Sequence, residues 1–196
     1  MDEILKYYPH LTELQRSQLE ALQSLYNDLN AKVNVISRKD INNLYVNHVM
    51  HSMVISKFMT PVDGTTFIDL GCGGGFPGIP LAILWPECRF HLIDRVGKKV
   101  MVAQTVAEAT GLRNVTFQHG DSGECHRKFD FVVSRAVMSL PDLIKASQHL
   151  VGGKSNNKLP NGLICLKGGN LDEEIRLSHR EAVSYTHLTL PTKRIV

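Results

Sequence analysis

Residues 66 to 78, Thr66-Phe-Ile-Asp-Leu-Gly-Cys-Gly-Gly-Gly-Phe-Pro-Gly78, constrain the fold most: an apolar run carrying one acid, Asp69, opens into a loop where five of eight residues are glycine. Glycine costs folding entropy, so such a cluster belongs where the backbone takes positive φ or where a ligand approaches closer than a Cβ permits. An apolar strand ending in this kind of loop is the start of a nucleotide-type site in an α/β protein.

The rest of the chain agrees. Beyond residue 65, short apolar runs at 67–70, 89–93, 115–118, 131–133 and 163–166 read as five strands. Their hydrophobicity is continuous rather than alternating, which predicts a mostly parallel sheet covered on both faces by helices. The stretches 98–110 and 140–150 read as crossover helices, and 152–162 as a polar surface loop. Before residue 65 the texture is helical. Leu11, Leu14, Leu22, Leu25, Tyr26 and Leu29 recur at helical spacing, and Thr12 with Gln15 forms a capping-box signature, predicting a helix over 12–30. A second helix should start at Asp40 and end before Pro61 and Gly64.

The organisation expected is a helical cap at 1–64, a ligand-binding domain at 65–182 and an atypical tail at 183–196, together one structural unit. No apolar run approaches the roughly 20 residues of a membrane helix, and the N-terminus lacks the features of a signal peptide, so a cytoplasmic protein is expected. Cys72, Cys88, Cys125 and Cys165 form no CxxC pair and read as reduced, buried thiols. His48 and His51 have metal-ligand spacing, but with no further ligand in view they read as packed or capping residues, and no metal is expected. Of the net charge of +3, Lys193 and Arg194 supply two, so charge permits a nucleic-acid partner without demanding one.

Gly73 to Gly78 satisfies GxGxxG, a weak dinucleotide pattern, which keeps a nicotinamide-dependent oxidoreductase open. From Asp69 the same loop also fits the acid-x-Gly-x-Gly-x-Gly signature of class I S-adenosylmethionine methyltransferases. A carboxylate at the strand end can orient the loop or meet the ammonium of a methionine moiety, whereas a pyrophosphate gains nothing from it. Asp94 lies 23 residues after Gly71, at the end of the second strand, where an acid holds ribose hydroxyls.

The run from Phe67 through Phe76-Pro-Gly-Ile-Pro80 resembles the bacterial 16S rRNA guanine-N7 methyltransferase family, RsmG or GidB. Asn34-Val-Ile-Ser-Arg38 leading to His48, His91-Leu-Ile-Asp-Arg-Val-Gly-Lys-Lys99 and Phe129-Asp-Phe-Val-Val-Ser-Arg-Ala136 are similar to it as well, over about residues 10 to 182. The resemblance implies S-adenosyl-L-methionine as cofactor, held by Gly71, Gly73, Phe76, Asp94, Ser122, Gly123 and Arg135. It implies 16S rRNA or the small ribosomal subunit as partner, a monomer, and Arg135 beside the transferable methyl. One departure stands out: Gly120-Asp-Ser-Gly123-Glu124 replaces the family's usual Gly-Arg-Ala-Glu, which changes side chains near the adenine but leaves the backbone.

After the fourth strand, Ser134-Arg135-Ala136 takes the place of the Asn/Asp-Pro-Pro-Tyr/Phe run of amine methyltransferases, and no Pro-Cys nucleophile is present. Guanine N7 needs neither, because its lone pair is already nucleophilic. Arg135 can donate to guanine O6; an ion pair with Asp130 or Asp142 is its structural alternative. Arg38, Lys39, Lys98 and Lys167 are the expected substrate contacts, with Arg95 and Lys99 as further phosphate ligands. A non-catalytic RNA-binding relic of the fold is a further alternative.

The class I sheet generally closes with an antiparallel pair, bringing it to seven strands. Residues 183–196 are too few for that pair, and Ser184-Tyr-Thr-His-Leu-Thr-Leu-Pro191 does not resemble the family's end. The last strands are expected to be incomplete, the tail to come from a truncated or chimeric frame, and activity to be weakened.

Overall fold

The computed structural model describes residues 1–135, 137–168 and 171–178. Strands β1 (Thr66–Leu70), β2 (Arg89–Asp94), β3 (Val115–His119), β4 (Phe131–Arg135) and β5 (Gly162–Leu166) form one sheet in the order β3-β2-β1-β4-β5. Every pairing is parallel, with Ile68 of β1 opposite both His91 and Val132. The chain winds one way from β1 through β2 to β3, then crosses back to β4 and β5. Ligands of open α/β sheets collect at the carboxyl ends of the strands beside such a reversal.

Both faces of the sheet are covered at its centre, which is why β1, β2 and β4 read as continuous apolar runs, while the edge strand β3 has no buried residue. On one face the rings of Phe67, Phe90 and Phe131 stack, with Phe67 4.9 Å from Phe90 and 5.5 Å from Phe131. Helices α2 (Glu13–Asn30), α5 (Gly78–Leu84) and α6 (Gly97–Ala109) pack there through Leu19, Leu22, Ile79, Ala103 and Val106. The other face buries Ile68, Ile93, Val132 and Cys165 against α7 (Leu140–Ser147), with Ile175 of α8 (Asp172–Ser178) at its border. All four cysteines are free and buried.

Helix α2 carries the expected capping box, Thr12 and Gln15 each satisfying the other's backbone amide. The Gln15 amide nitrogen also donates to the carbonyls of Ile83 and Leu84, and Gln18 to that of Thr110. Those carbonyls end α5 and α6, so two side chains of one helix satisfy the exposed C-termini of two others. A short helix that periodicity did not reveal, α1 (Asp2–Tyr7), buries Ile4, and after it the Tyr8 hydroxyl donates to the Met53 carbonyl at 2.8 Å.

The second expected helix is broken. A 3-10 turn at Ile41–Asn43 leads into a π-helical turn at Tyr45–Met50, then α3 (His51–Met53) and α4 (Ile55–Phe58). Asp40 caps nothing; its carboxylate accepts from the Ser37 hydroxyl at 2.6 Å and the Asn47 amide at 3.0 Å. The wider π turn brings Val49 and Met50 into the core with Leu44 and Met53, and leaves Asn47 and His48 facing β4.

Residues 179–196, which include the tail at 183–196 and the incomplete last strands expected there, lie outside the described residues. Among the described residues no helix is long and apolar enough to cross a membrane, and no group of three His, Cys, Asp or Glu could hold a metal.

Candidate functional site

At the carboxyl end of β1 the chain turns through Gly71 at φ +72°, a left-handed conformation in which any side chain is strained. A Cβ there would also stand 2.7 Å from a methyl of Val137. Four residues after Gly74 the loop enters α5 at Gly78, whose amide donates to Asp69 Oδ2 at 2.7 Å. Here too a Cβ is excluded, since it would lie 2.8 Å from that carboxylate. Asp69 is wholly buried, so of the two roles open to it the acid takes the first, and orients the loop. Burial pushes its carboxyl from the usual 3.8 up to about 7, against the Gly78 hydrogen bond and nearby Arg135, which favour the ionised form.

The glycine loop is held from both sides. Asp94, ending β2, accepts from the Gly73 amide through Oδ2 and from the Val96 amide through Oδ1, both at 2.8 Å. From the N-terminal layer, the Tyr26 hydroxyl donates to the Gly74 carbonyl at 2.7 Å and Val35 packs against Gly74. The loop is thus fixed by a strand-end acid and by a helix more than forty positions earlier in the chain.

Around it lies a cavity of about 720 Å³, within the range of small-molecule sites. Gly71, Gly73, Phe76, Asp94, Ser122 and Arg135 all line it, so six of the seven residues assigned to a cofactor meet in one place. Gly123 does not: its amide donates to Asp121 Oδ1 at 3.0 Å. The Asp121 amide in turn donates to Glu124 Oε1, so the segment that departs from the family's usual residues closes as a capping box upon itself. Asp121 rather than Gly123 is in the wall, and the Ser122 carbonyl pairs with His149 Nε2 at 2.9 Å.

Arg135, at the end of β4, makes neither of the ion pairs considered for it. One terminal nitrogen donates to the Asn47 carbonyl at 3.1 Å, the other sits 2.9 Å from His48 Nδ1, and the guanidinium lies 5.2 Å over the Phe76 ring. His48 Nδ1 must accept in that pair, which leaves the proton on Nε2 and the ring neutral. Burial, then Arg135, push the His48 pKa down to about 4. Burial also lowers the Arg135 pKa, opposed chiefly by Asp69. Asn47 and His48 come from the broken helix, and nothing in its periodicity marked them as partners of β4.

The expected substrate contacts disperse. Arg38 and Lys39 are exposed beside the Asp40 turn, away from the cavity wall. Lys98 is exposed on α6, while its neighbour Lys99 enters the wall together with Arg95 and Val96. Arg95 lies 3.8 Å from Asp121, a pair too solvated to contribute much. Lys167 is not in that wall; its ammonium donates to the Met138 carbonyl at 2.7 Å and pairs with Glu174 at 2.9 Å. Sequence reasoning also missed Val137 and Met138, wall residues in the connection from β4 to α7.

A cavity that joins Asp94, Asp121 and Asp142 to Arg95, Lys99 and Arg135 suits a ligand carrying both signs of charge and neighbouring hydroxyls. The family model described as rRNA small subunit methyltransferase G matches residues 15–194, and so runs into the tail that the sequence set apart. The ribosomal RNA small subunit methyltransferase G of Bacteroides thetaiotaomicron is 61% identical over 174 residues, 89% of this chain and 84% of that one. Its counterpart in Phocaeicola vulgatus is 54% identical over 202 residues, 100% of this chain and 97% of that one.

Among solved structures, the ribosomal protein L11 methylase of Lactobacillus delbrueckii subsp. bulgaricus superposes with a TM-score of 0.55 at 18% identity, over 75% of this chain and 72% of that one. Coclaurine N-methyltransferase, bound to N-methylheliamine and SAH, gives 0.51 at 16% over 60% and 35%. At such identities these two likenesses establish the fold alone. The match over 15–194 and relatives at 54% and 61% identity establish more, and the chain belongs to the rRNA small subunit methyltransferase G family.

Proposed function

We propose that the protein is an S-adenosyl-L-methionine-dependent methyltransferase that methylates N7 of a guanine in 16S rRNA of the small ribosomal subunit, acting as a cytoplasmic monomer. The observation that carries this reading is the flanking of the β1 glycine loop by Asp94 on one side and Arg135 on the other, in one cavity. The residues fit the cofactor. Gly73, at φ +54°, has nothing within 4 Å of where a Cβ would stand and so leaves open space beside the loop. Asp94 keeps lone pairs for ribose hydroxyls beside its two backbone bonds, and the mixed charge of the wall suits an amino-acid moiety.

When bound, S-adenosylmethionine supplies a methyl on a sulfonium. Guanine N7 offers a lone pair, so the methyl would pass to it as the sulfur–carbon bond breaks, and no residue of the chain need take a proton from N7. Catalysis therefore falls mainly on alignment, which is worth up to about 7 to 11 kcal/mol in favourable cases. Arg135 is suited to this: held by Asn47 and His48 and laid over Phe76, it has further N–H donors for guanine O6. Exposed Arg38, Lys39 and Lys98, with Arg95 and Lys99 at the rim, supply phosphate contacts. Deletion of the gene and mass spectrometry of 16S rRNA test the reading: one N7-methylguanosine should disappear and return on complementation, and its retention would refute the assignment.

A further inference from the structure

Lys167 follows β5 on the rim where ligands of α/β sheets collect, yet its side chain is only 11% exposed and is engaged inward. Its ammonium donates to the Met138 carbonyl at 2.7 Å and to Glu174 Oε2 at 2.9 Å. That same Glu174 oxygen accepts from the Leu140 amide at 2.7 Å. One lysine just after β5 and one glutamate from α8 thus close on a backbone carbonyl in the segment joining β4 to α7 and on the first amide of α7. The two hydrogen-bond donors hold the Glu174 carboxyl below the usual carboxylate range, with the Lys167 ammonium first and the Leu140 amide second.

The clamped segment is part of the cavity. Val137 and Met138 line it, and Val137 is so close to Gly71 that a single added carbon would collide. Arg135 stands two residues before Val137, and Asp142, also in the wall, two residues after Leu140. Displacement of the Met138 carbonyl or the Leu140 amide moves one side of the cavity relative to the glycine loop opposite.

We propose that Lys167 and Glu174 are positioning residues that fix the Val137 to Leu140 wall against Gly71 and thereby set cofactor affinity without touching cofactor or RNA. This rests on the cavity being the S-adenosylmethionine site, which wild-type binding of S-adenosylhomocysteine checks separately. It replaces the role of direct substrate contact that the sequence suggested for Lys167.

The test is calorimetric titration of the full chain with S-adenosylhomocysteine, alongside thermal unfolding and steady-state kinetics on small subunits. Lys167→Met should weaken S-adenosylhomocysteine about tenfold, the scale of one or two lost hydrogen bonds, and raise KM for S-adenosylmethionine more than that for RNA. Glu174→Gln, which keeps an acceptor for the Leu140 amide, should weaken it less, and Lys167→Arg, which keeps a donor for Met138, should restore most of the affinity. A folded Lys167→Met with wild-type affinity overturns the proposal; a raised KM confined to RNA does the same and returns Lys167 to the substrate. Should Lys167→Met fail to fold, Glu174→Gln decides: unchanged cofactor affinity with lowered thermal stability makes the pair purely structural.

Discussion

Asp94 and Asp69 lie at the ends of neighbouring strands, and the sequence marked both by position, yet their environments give them opposite parts. Asp94 is partly open, tied to Gly73 and Val96, and in the cavity wall. Asp94→Ala should leave two amides without their acceptor and remove the ribose ligand, weakening S-adenosylhomocysteine by about 100-fold in calorimetry. Asp69 is buried, and its Oδ1 has no partner. With its carboxyl raised from 3.8 to about 7, the folded protein binds a proton that the unfolded chain has released, so this group's stabilisation is present below pH 3.8 and is lost as pH rises to about 7. His48 works the other way: held down from 6.5 to about 4, its contribution is present above pH 6.5 and is lost as pH falls toward 4. In urea titrations, Asp69→Asn should therefore gain stability relative to wild type as pH climbs from 4 to 7, and a pH-independent difference would remove Asp69 from the account.

Elements were legible where one physical rule governed them. The central strands β1, β2 and β4 declared themselves because both faces are buried, whereas the edge strand β3 buries no residue fully. Helix α2 was legible because Thr12 and Gln15 cap it and Leu22, Leu25, Tyr26 and Leu29 recur at helical spacing, although Leu14 of that stripe is exposed and Leu19, outside it, is buried. The segment after Asp40 was misjudged because burial of Leu44, Val49 and Met50 together with presentation of His48 to Arg135 needs a wider turn than an α-helix gives, and no local pattern signals that. Asp94 was marked by its place at a strand end and Arg135 by the family resemblance, whereas Tyr26 reaches the glycine loop, and Asn47 and His48 reach Arg135, only through tertiary packing. Tyr26→Phe tests that packing: it keeps the ring against Phe76 but loses the bond to the Gly74 carbonyl, and should cost about 1 kcal/mol of stability and a few-fold in cofactor affinity. Affinity unchanged at equal destabilisation would show that α2 supports the sheet but not the loop.

At the scale of the molecule, a charge of +3 over 196 residues makes a weak general attraction to RNA, so binding must depend on where the cations lie. Lys98→Ala should reduce the slope of log affinity for RNA against log salt by about 0.7 to 1 and spare S-adenosylhomocysteine binding. Arg135→Lys keeps the charge but not the forked donors, and should lower kcat by about 100-fold. Methyl transfer to guanine N7 can be read by reconstitution: small subunits from a strain lacking the enzyme, incubated with the purified protein and labelled S-adenosylmethionine, then digested and analysed by mass spectrometry. Label should appear in one N7-methylguanosine of 16S rRNA and be abolished by Asp94→Ala; label on an exocyclic amine or on carbon, or none from a protein that binds S-adenosylhomocysteine, would rule out methyl transfer to guanine N7.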